Sequence, residues 1–280
     1  MIPSKILLVD SNYLRLPGLR EFLKKSSENA IALDHLVLFE MFKKNPLLTS
    51  QKSLHIAAEF SKQVYVIKPT HIWLKTVISS NDDLKELIDL DATRDLRVLC
   101  SGLFITPIPD DIMSYLMARE AEATDYIKRL SDEISDYDDI LRKKAASFST
   151  SQLAEIRTGN EISNETRNKI SDLLHEITGH FIVTYQDPNR TEPMPTEFLK
   201  NMFVFRYALC VIISFIEWIK LGKNPKKPEK RLNDILDLQI ATVSTFFSGF
   251  ASDDIKTLTI AREAVELLEK WGAFIRFDDR

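Results

Sequence analysis

Lys5-Ile6-Leu7-Leu8-Val9-Asp10-Ser11-Asn12 is a short aliphatic run that stops abruptly at an acid. Its leucines and β-branched residues read as a strand buried on both faces, the kind that forms the interior of an α/β sheet. Ligands in such sheets sit outside the carboxyl ends of the strands, so Asp10 stands where chemistry is expected. Far along the chain a second group of acids follows, Asn233-Asp234-Ile235-Leu236-Asp237 and then Ser252-Asp253-Asp254. If the fold returns these to the edge that carries Asp10, they form a carboxylate pocket suited to holding Mg²⁺ or Mn²⁺ against a phosphodiester.

Outward from this run, helix-period patterns dominate and only 7 of 280 residues are glycine, which predicts a mostly helical protein with a small sheet. Four runs read as strands: Lys5 to Val9, Gln63 to Ile67, Phe247 to Ala251 and Gly272 to Phe277. Pro17 suits the first turn of a helix through Leu23, and Asp34 suits the cap of a helix carrying Leu36, Phe39, Glu40 and Phe42. Pro46 ends that helix, and another runs through Ala58. Between Thr70 and Pro195 there is little β signal, and helices are expected over Asp110 to Ser131, Asp132 to Phe148, Thr150 to Thr158 and Ser163 to Thr178. Residues 70–195 therefore read as an all-helical insertion, with residues 1–69 and 196–280 forming one core, because an insertion lets the terminal strands join one sheet. A polar stretch with Asp187-Pro188-Asn189-Arg190, Pro193 and Pro195 leads from the insertion to an apolar helix over Glu197 to Leu221.

Asn233 reads as the cap of a helix that opens with Asp234 and Asp237, three residues apart and so on one face. The macrodipole alone would favour acids there, but one acid suffices for that purpose. Asp253 and Asp254 likewise end an apolar stretch and lead into a helix from Ile255 to Lys270, where capping is the plain alternative to a functional role. Before these acids, Lys220, Lys223, Lys226, Lys227, Lys230 and Arg231 crowd together, with Pro225 and Pro228 stiffening the loop. In a chain of net charge -4 this basic run is the place to expect phosphate contacts, which position a nucleic acid without reading its sequence. Arg206, within the apolar helix, either pairs with an acid or faces a phosphate.

Several classes are excluded. Cys100 and Cys210 lie far apart in apolar stretches and read as reduced core thiols of a cytoplasmic protein. The longest uninterrupted apolar part of the chain, Ala208 to Ile216, is far short of the ~20 residues a bilayer needs, so no membrane partner is expected. His175-Glu176-Ile177-Thr178-Gly179-His180 misses the spacing of a zinc motif, and Gly179 is expected to end the helix before its second histidine. The acids Asp132, Glu133, Asp136, Asp138 and Asp139 read as a solvated helical face, with an acidic contact surface for a basic partner as the alternative.

The order of these features resembles the PIN-like nuclease domain. The likeness rests on Asp10 at the end of the first strand, Glu40 within a following helix, the Asp237-Leu-Gln-Ile-Ala-Thr stretch and Ser252-Asp253-Asp254. It covers residues 4–67 and 200–277, and implies a three-layer α/β core whose small, mainly parallel sheet is formed by both chain ends. It implies that Asp10, Glu40, Asp237 and Asp254 are catalytic and gather Mg²⁺ or Mn²⁺, with Asp234 and Asp253 as nearby alternatives. It further implies hydrolysis of RNA, or more rarely DNA, with tRNA or other single-stranded or structured RNA as partner. A homo-oligomer or an inhibitory protein partner fits the same family, in which toxins and antiviral effectors are common. The long helical segment departs from the small members. The rival expectation is a non-catalytic PIN-like scaffold that uses its acids as helix caps and binds a partner through the insertion. The opening run also resembles the receiver domain of response regulators, but that family needs an acid pair where Asp10 is followed by Ser11 and Asn12.

Overall fold

The computed structural model describes residue 3 and residues 5–134, 136–159, 162–185, 196–222 and 227–276. Strand β1 (Lys5–Val9) is followed by helix α1 (Pro17–Lys25), β2 (Asn29–Leu33), α2 (His35–Phe42), α3 (Pro46–Glu59) and β3 (Val64–Ile67). Next come α4 (Thr70–Trp73), α5 (Asn81–Glu86), β4 (Ile88–Asp89), α6 (Leu90–Gly102), α7 (Asp110–Glu133), α8 (Tyr137–Ala146), α9 (Thr150–Thr158) and α10 (Asn164–Tyr185). These are followed by α11 (Thr196–Leu199), α12 (Phe203–Lys220), α13 (Pro228–Ser244), β5 (Gly249–Ala251) and α14 (Ile255–Lys270). The strands form one sheet in the order β4-β3-β2-β1-β5, with β1, β2, β3 and β5 parallel and β4 antiparallel on the edge. The architecture is α/β, and both ends of the chain meet in its sheet.

Local chemistry accounts for the elements the sequence predicts. Leu7 and Leu8 of β1 are buried among Ile6 and Val9, as expected of a strand covered on both faces. Pro17 occupies the first turn of α1, and the Asp34 carboxylate caps α2 by accepting from Leu36 N. Between α2 and α3, Asn45 adopts the left-handed conformation (φ 50°), which its short polar side chain tolerates better than most, and Pro46 then starts α3.

Four expectations are corrected. Asn29-Ala30-Ile31-Ala32-Leu33 forms β2, the buried strand between β1 and β3, although two alanines give it little β signal; their small side chains fit a strand covered by helices on both faces. The segment 70–195 is not all-helical, because Ile88 and Asp89 pair with Ile67 and Val66 of β3. Residues 273–276 form no strand: the chain turns at Gly272 (φ 68°), and Phe274 N is held by Asn201 Oδ1 at 2.8 Å, while Phe277 lies outside the described residues. Helix α13 begins at Pro228 rather than Asn233, so Asp234 and Asp237 lie inside it. The polar stretch from Asp187 to Pro195 lies outside the described residues.

The segment from Thr70 onward contributes to the core as well. Trp73 is fully buried and packs against Phe203, Phe246 and Phe247, with ring centroids 6.3, 5.6 and 6.3 Å away, while its indole N–H donates to Lys68 O at 2.8 Å. Among the described residues no helix is long and apolar enough to cross a membrane.

Arg206 is 0% exposed, which removes it from any role in phosphate binding. Its Nε donates to Lys200 O at 3.0 Å, Nη1 to Thr245 O at 2.8 Å and Nη2 to Phe274 O at 2.6 Å. The guanidinium also lies 3.8 Å from the centre of the Phe246 ring. Burial pushes its pKa down to about 9, so it stays charged at neutral pH, stabilised by carbonyl dipoles and a ring face. One side chain thus ties α12 to the end of α13 and to the C-terminal tail. Arg206→Met leaves three carbonyls without their donors and is expected to lower stability by about 3 kcal/mol or more. Arg206→Lys should recover little, because an ammonium cannot reproduce the planar fork. Urea unfolding of both variants measures this; a parent-like midpoint for Arg206→Met would show that the fork is not what fixes the tail.

Candidate active site at the carboxyl edge of the sheet

The parallel pairing of β1 with β5 sets the site. Leu7, Leu8 and Val9 lie opposite Gly249, Phe250 and Ala251, and Asp10 N extends the ladder by donating to Ala251 O at 2.9 Å. Asp10 and Ser252 therefore leave the sheet side by side, and Ser252 Oγ donates to Asp10 Oδ2 at 2.7 Å. Asp10 Oδ1 accepts from Ser11 N at 2.6 Å. Ser11 Oγ then donates to Glu40 Oε2 at 2.5 Å, drawing the acid of α2 to the end of β1. Opposite, Asp254 caps α14 by accepting from Thr257 N at 2.9 Å, and its own N–H donates to Ser252 Oγ at 3.0 Å. The Asp253 side chain is exposed, while its backbone N–H donates to Asn12 Oδ1 at 3.1 Å.

Asp237 comes to this edge from α13, which packs on β1, β5 and α14. Among the described residues its carboxylate has no hydrogen-bond partner. Its pKa is pushed up to about 7, first by burial and then by the charges of Asp254, Asp10 and Glu40, in that order, against the partial relief given by Lys256. Asp10 is raised too, chiefly by burial and also by Glu40, with the Ser252 hydroxyl pulling the other way. The structure thus brings Asp10, Glu40, Asp237 and Asp254 into one electrostatic field.

The other residues singled out in the sequence divide. Asp234, three residues before Asp237, is neutralised by Arg231 at 3.4 Å and Lys256 at 2.6 Å. Arg231 is not a nucleic-acid contact: it is buried, pairs with Asp138 as well as Asp234, and lies 5.2 Å from the centre of the Tyr137 ring. Asp138 accordingly belongs to this buried network rather than to a solvated face. Lys220 is exposed and pairs with Glu217 at 2.6 Å. Lys227 and Lys230 are exposed at the start of α13, and Lys223 and Lys226 lie outside the described residues. His175 and His180 are exposed on α10, which continues through Gly179 to Tyr185.

Sequence reasoning gave no role to Ser11, Asn12, Ser252 or Lys256. The first three stand in the stretches that mark Asp10 and Asp254, and a hydroxyl or amide beside a strand-end acid is the signal that could have found them. Lys256 could have been found from its place in the first turn of α14, two residues after Asp254.

Hard carboxylate oxygens of this kind suit Mg²⁺ or Mn²⁺. The arrangement is open rather than a closed cage: among the described residues no three His, Cys, Asp or Glu groups stand close enough to hold one ion as they are placed. The observation that fits a cation is Asp237, a half-buried carboxylate beside three other acids without a hydrogen-bond donor of its own among the described residues.

Asp237 binds its proton more tightly folded than unfolded. It therefore weighs nothing against the fold at low pH, and its cost grows as pH rises from its ordinary value of 3.8 through about 7. In buffer with chelator, Asp237→Asn is expected to raise stability at pH 8 by on the order of 2 kcal/mol, with the gain fading toward pH 4. Urea unfolding at the two pH values checks this, and an equal effect at both would show that Asp237 is not held beside other charges.

The chain matches no protein-family model, no curated protein and no solved structure. The geometry of the site therefore carries the functional argument.

Proposed function

We propose that the chain is a PIN-like, metal-dependent endonuclease that hydrolyses phosphodiesters, with RNA as substrate in preference to DNA. The observation that supports this reading is the meeting of Asp10, Glu40, Asp237 and Asp254 at one sheet edge, where Asp237 is half-buried and faces the charges of the other three. Four acids held together are unfavourable unless a cation joins them. These residues would hold Mg²⁺ or Mn²⁺, which supplies positive charge to the phosphodiester and lowers the pKa of a water bound to it.

The remaining roles belong to the chain itself. Ser252 and the Ser11 amide fix the two oxygens of Asp10, and the Ser11 hydroxyl holds Glu40 toward it. Thr257 N fixes one oxygen of Asp254. Asp237, free of such donors among the described residues, is the group whose proton must leave before a cation is bound. The exposed Lys227 and Lys230 at the start of α13 supply positive charge for a strand, in place of the buried Arg206 and Arg231.

A second reading has its own support. Asp254 is a helix cap and both oxygens of Asp10 are hydrogen-bonded, which is also what a non-catalytic scaffold would do with its acids. One assay separates the two. The nuclease predicts Mn²⁺-dependent cleavage of RNA that Asp10→Asn and Asp237→Asn each abolish without lowering the melting temperature. Ser252→Ala, which only orients Asp10, should lose about tenfold. If the parent cleaves neither RNA nor DNA with either metal, while the variants melt like it or higher, the scaffold is the better description.

A further inference from the structure

At the carboxyl end of β3 a cleft of about 860 Å³ opens between α2, α4, α6, α7 and α13. Pockets for small ligands run from roughly 300 to 1,000 Å³, so the cleft has room for a nucleoside. One wall is aromatic: Phe39 and Tyr126 lie 4.9 Å apart between centroids, and His35 meets both edge-on at 5.6 and 6.1 Å. The cleft is also lined by two side chains that carry buried atoms without a hydrogen-bond partner among the described residues, Thr70 Oγ1 and Gln239 Oε1. His35 Nδ1 is a third such atom, since it lies 2.9 Å from Asp34 Oδ1 but lacks hydrogen-bond geometry to it. Buried polar atoms are nearly always paired, with protein, water or ligand. Here residues that carry an unpartnered hydroxyl, amide oxygen and imidazole nitrogen line the same cleft as aromatic rings, which is the chemistry that recognises the edge and face of a nucleobase.

Charge distinguishes a base from a phosphate. Around the cleft Asp89, Asp91, Asp95 and Glu122 stand against Arg119 and Arg129, a balance that repels a phosphate placed inside and tolerates a neutral ring. Position links the cleft to the acids. In the sheet order β3 lies two strand spacings from β1, about 10 Å, a distance that an extended nucleotide and its neighbour span. The two helices that carry Glu40 and Asp237 also carry Phe39 and Gln239.

We infer that this cleft receives an unpaired base of the strand whose phosphodiester lies at the acids, so that the substrate is single-stranded there. The inference rests on the proposed phosphodiester reading of the acid site. It makes the cleft a base-stacking site, with Phe39 and Tyr126 as the platform and Thr70, Gln239 and His35 as hydrogen-bond partners for the base edge.

The test separates cleft from acids. Fluorescence anisotropy, with Ca²⁺ in place of Mn²⁺, follows a short single-stranded oligoribonucleotide, its duplex form and a strand of equal length that is abasic throughout. Wild type is expected to bind the intact single strand about tenfold more tightly than either of the others. In Phe39→Leu and Gln239→Leu that preference should fall toward one, with melting temperatures showing that both variants fold. Mn²⁺-dependent hydrolysis of bis(4-nitrophenyl) phosphate by wild type tests the acids without any base. Hydrolysis together with a base preference that survives in both variants would overturn the cleft and leave the acid reading standing. A preference that collapses in the variants without hydrolysis by wild type would support the base site and remove the hydrolytic reading; absence of both would remove the two together. Free mononucleotide that competes as tightly as the oligonucleotide would show that the cleft serves a soluble nucleotide, which also overturns its role toward a strand.

Discussion

The site depends on the pairing of β1 with β5, the contact that joins the first and last strands among the described residues. Ser248 N donates to Ile6 O at 2.9 Å, Asp10 N to Ala251 O at 2.9 Å, and the Ser248 hydroxyl accepts from Ile6 N at 3.2 Å. Closing so long a loop is less costly than its length suggests, because the entropy rises only with the logarithm of the number of residues enclosed. The closure is stabilised by the burial that accompanies it: Phe246, Phe247, Ile6, Leu8 and Val9 are all fully removed from water. Once the two strands align, Asp10, Ser252 and Asp254 come to one place without further adjustment. The acids are held by the sheet rather than by attraction among themselves.

That distinction matters because the acids repel. The cation that faces Asp237, Lys256, is shared with Asp234, which also draws on Arg231. A structural network with the same residue types shows the contrast: Asp138 and Asp234 surround Arg231, so charge there is balanced and the guanidinium can be buried. Around Asp237 the balance is not struck, and its pKa is pushed up to about 7. Such a group titrates near neutrality, and perturbed pKa values cluster at functional sites.

Much of this was legible in the sequence, and the omissions have physical reasons. Thr150–Thr158 and Ile255–Lys270 form helices with the bounds expected from their patterns, because Ser149 and Asp254 mark their starts with side chains that cap them. The α/β class followed from Lys5–Val9, since few environments other than a sheet interior accept such a run. By contrast β2 is alanine-rich and β4 is two residues long, so neither carries a period, and only their neighbours in space decide that they are strands. Among the acids, position at strand ends was readable for Asp10 and Asp254. The separation of Asp237 from Asp234 was not, since it depends on which of two acids on one helix face meets Arg231 and Lys256. The basic run misled for a similar reason: Arg231 was expected to contact phosphate, whereas it turns inward to two carboxylates, and Arg206, on the apolar helix, spends its fork on backbone carbonyls.

Helices α2 and α13 each present two different surfaces, and helix geometry explains how. Successive residues on a helix point about 100° apart, so Phe39 and Glu40 diverge, and Gln239 lies nearly opposite Asp237. On one side these helices bring acids to the end of β1, and on the other they wall the cleft at the end of β3. Because each helix is a rigid body packed on its neighbours, a group that settles in the cleft bears on the same backbone that positions Glu40 and Asp237. Placing acids and cleft on shared helices, rather than on separate loops, fixes the spacing between them.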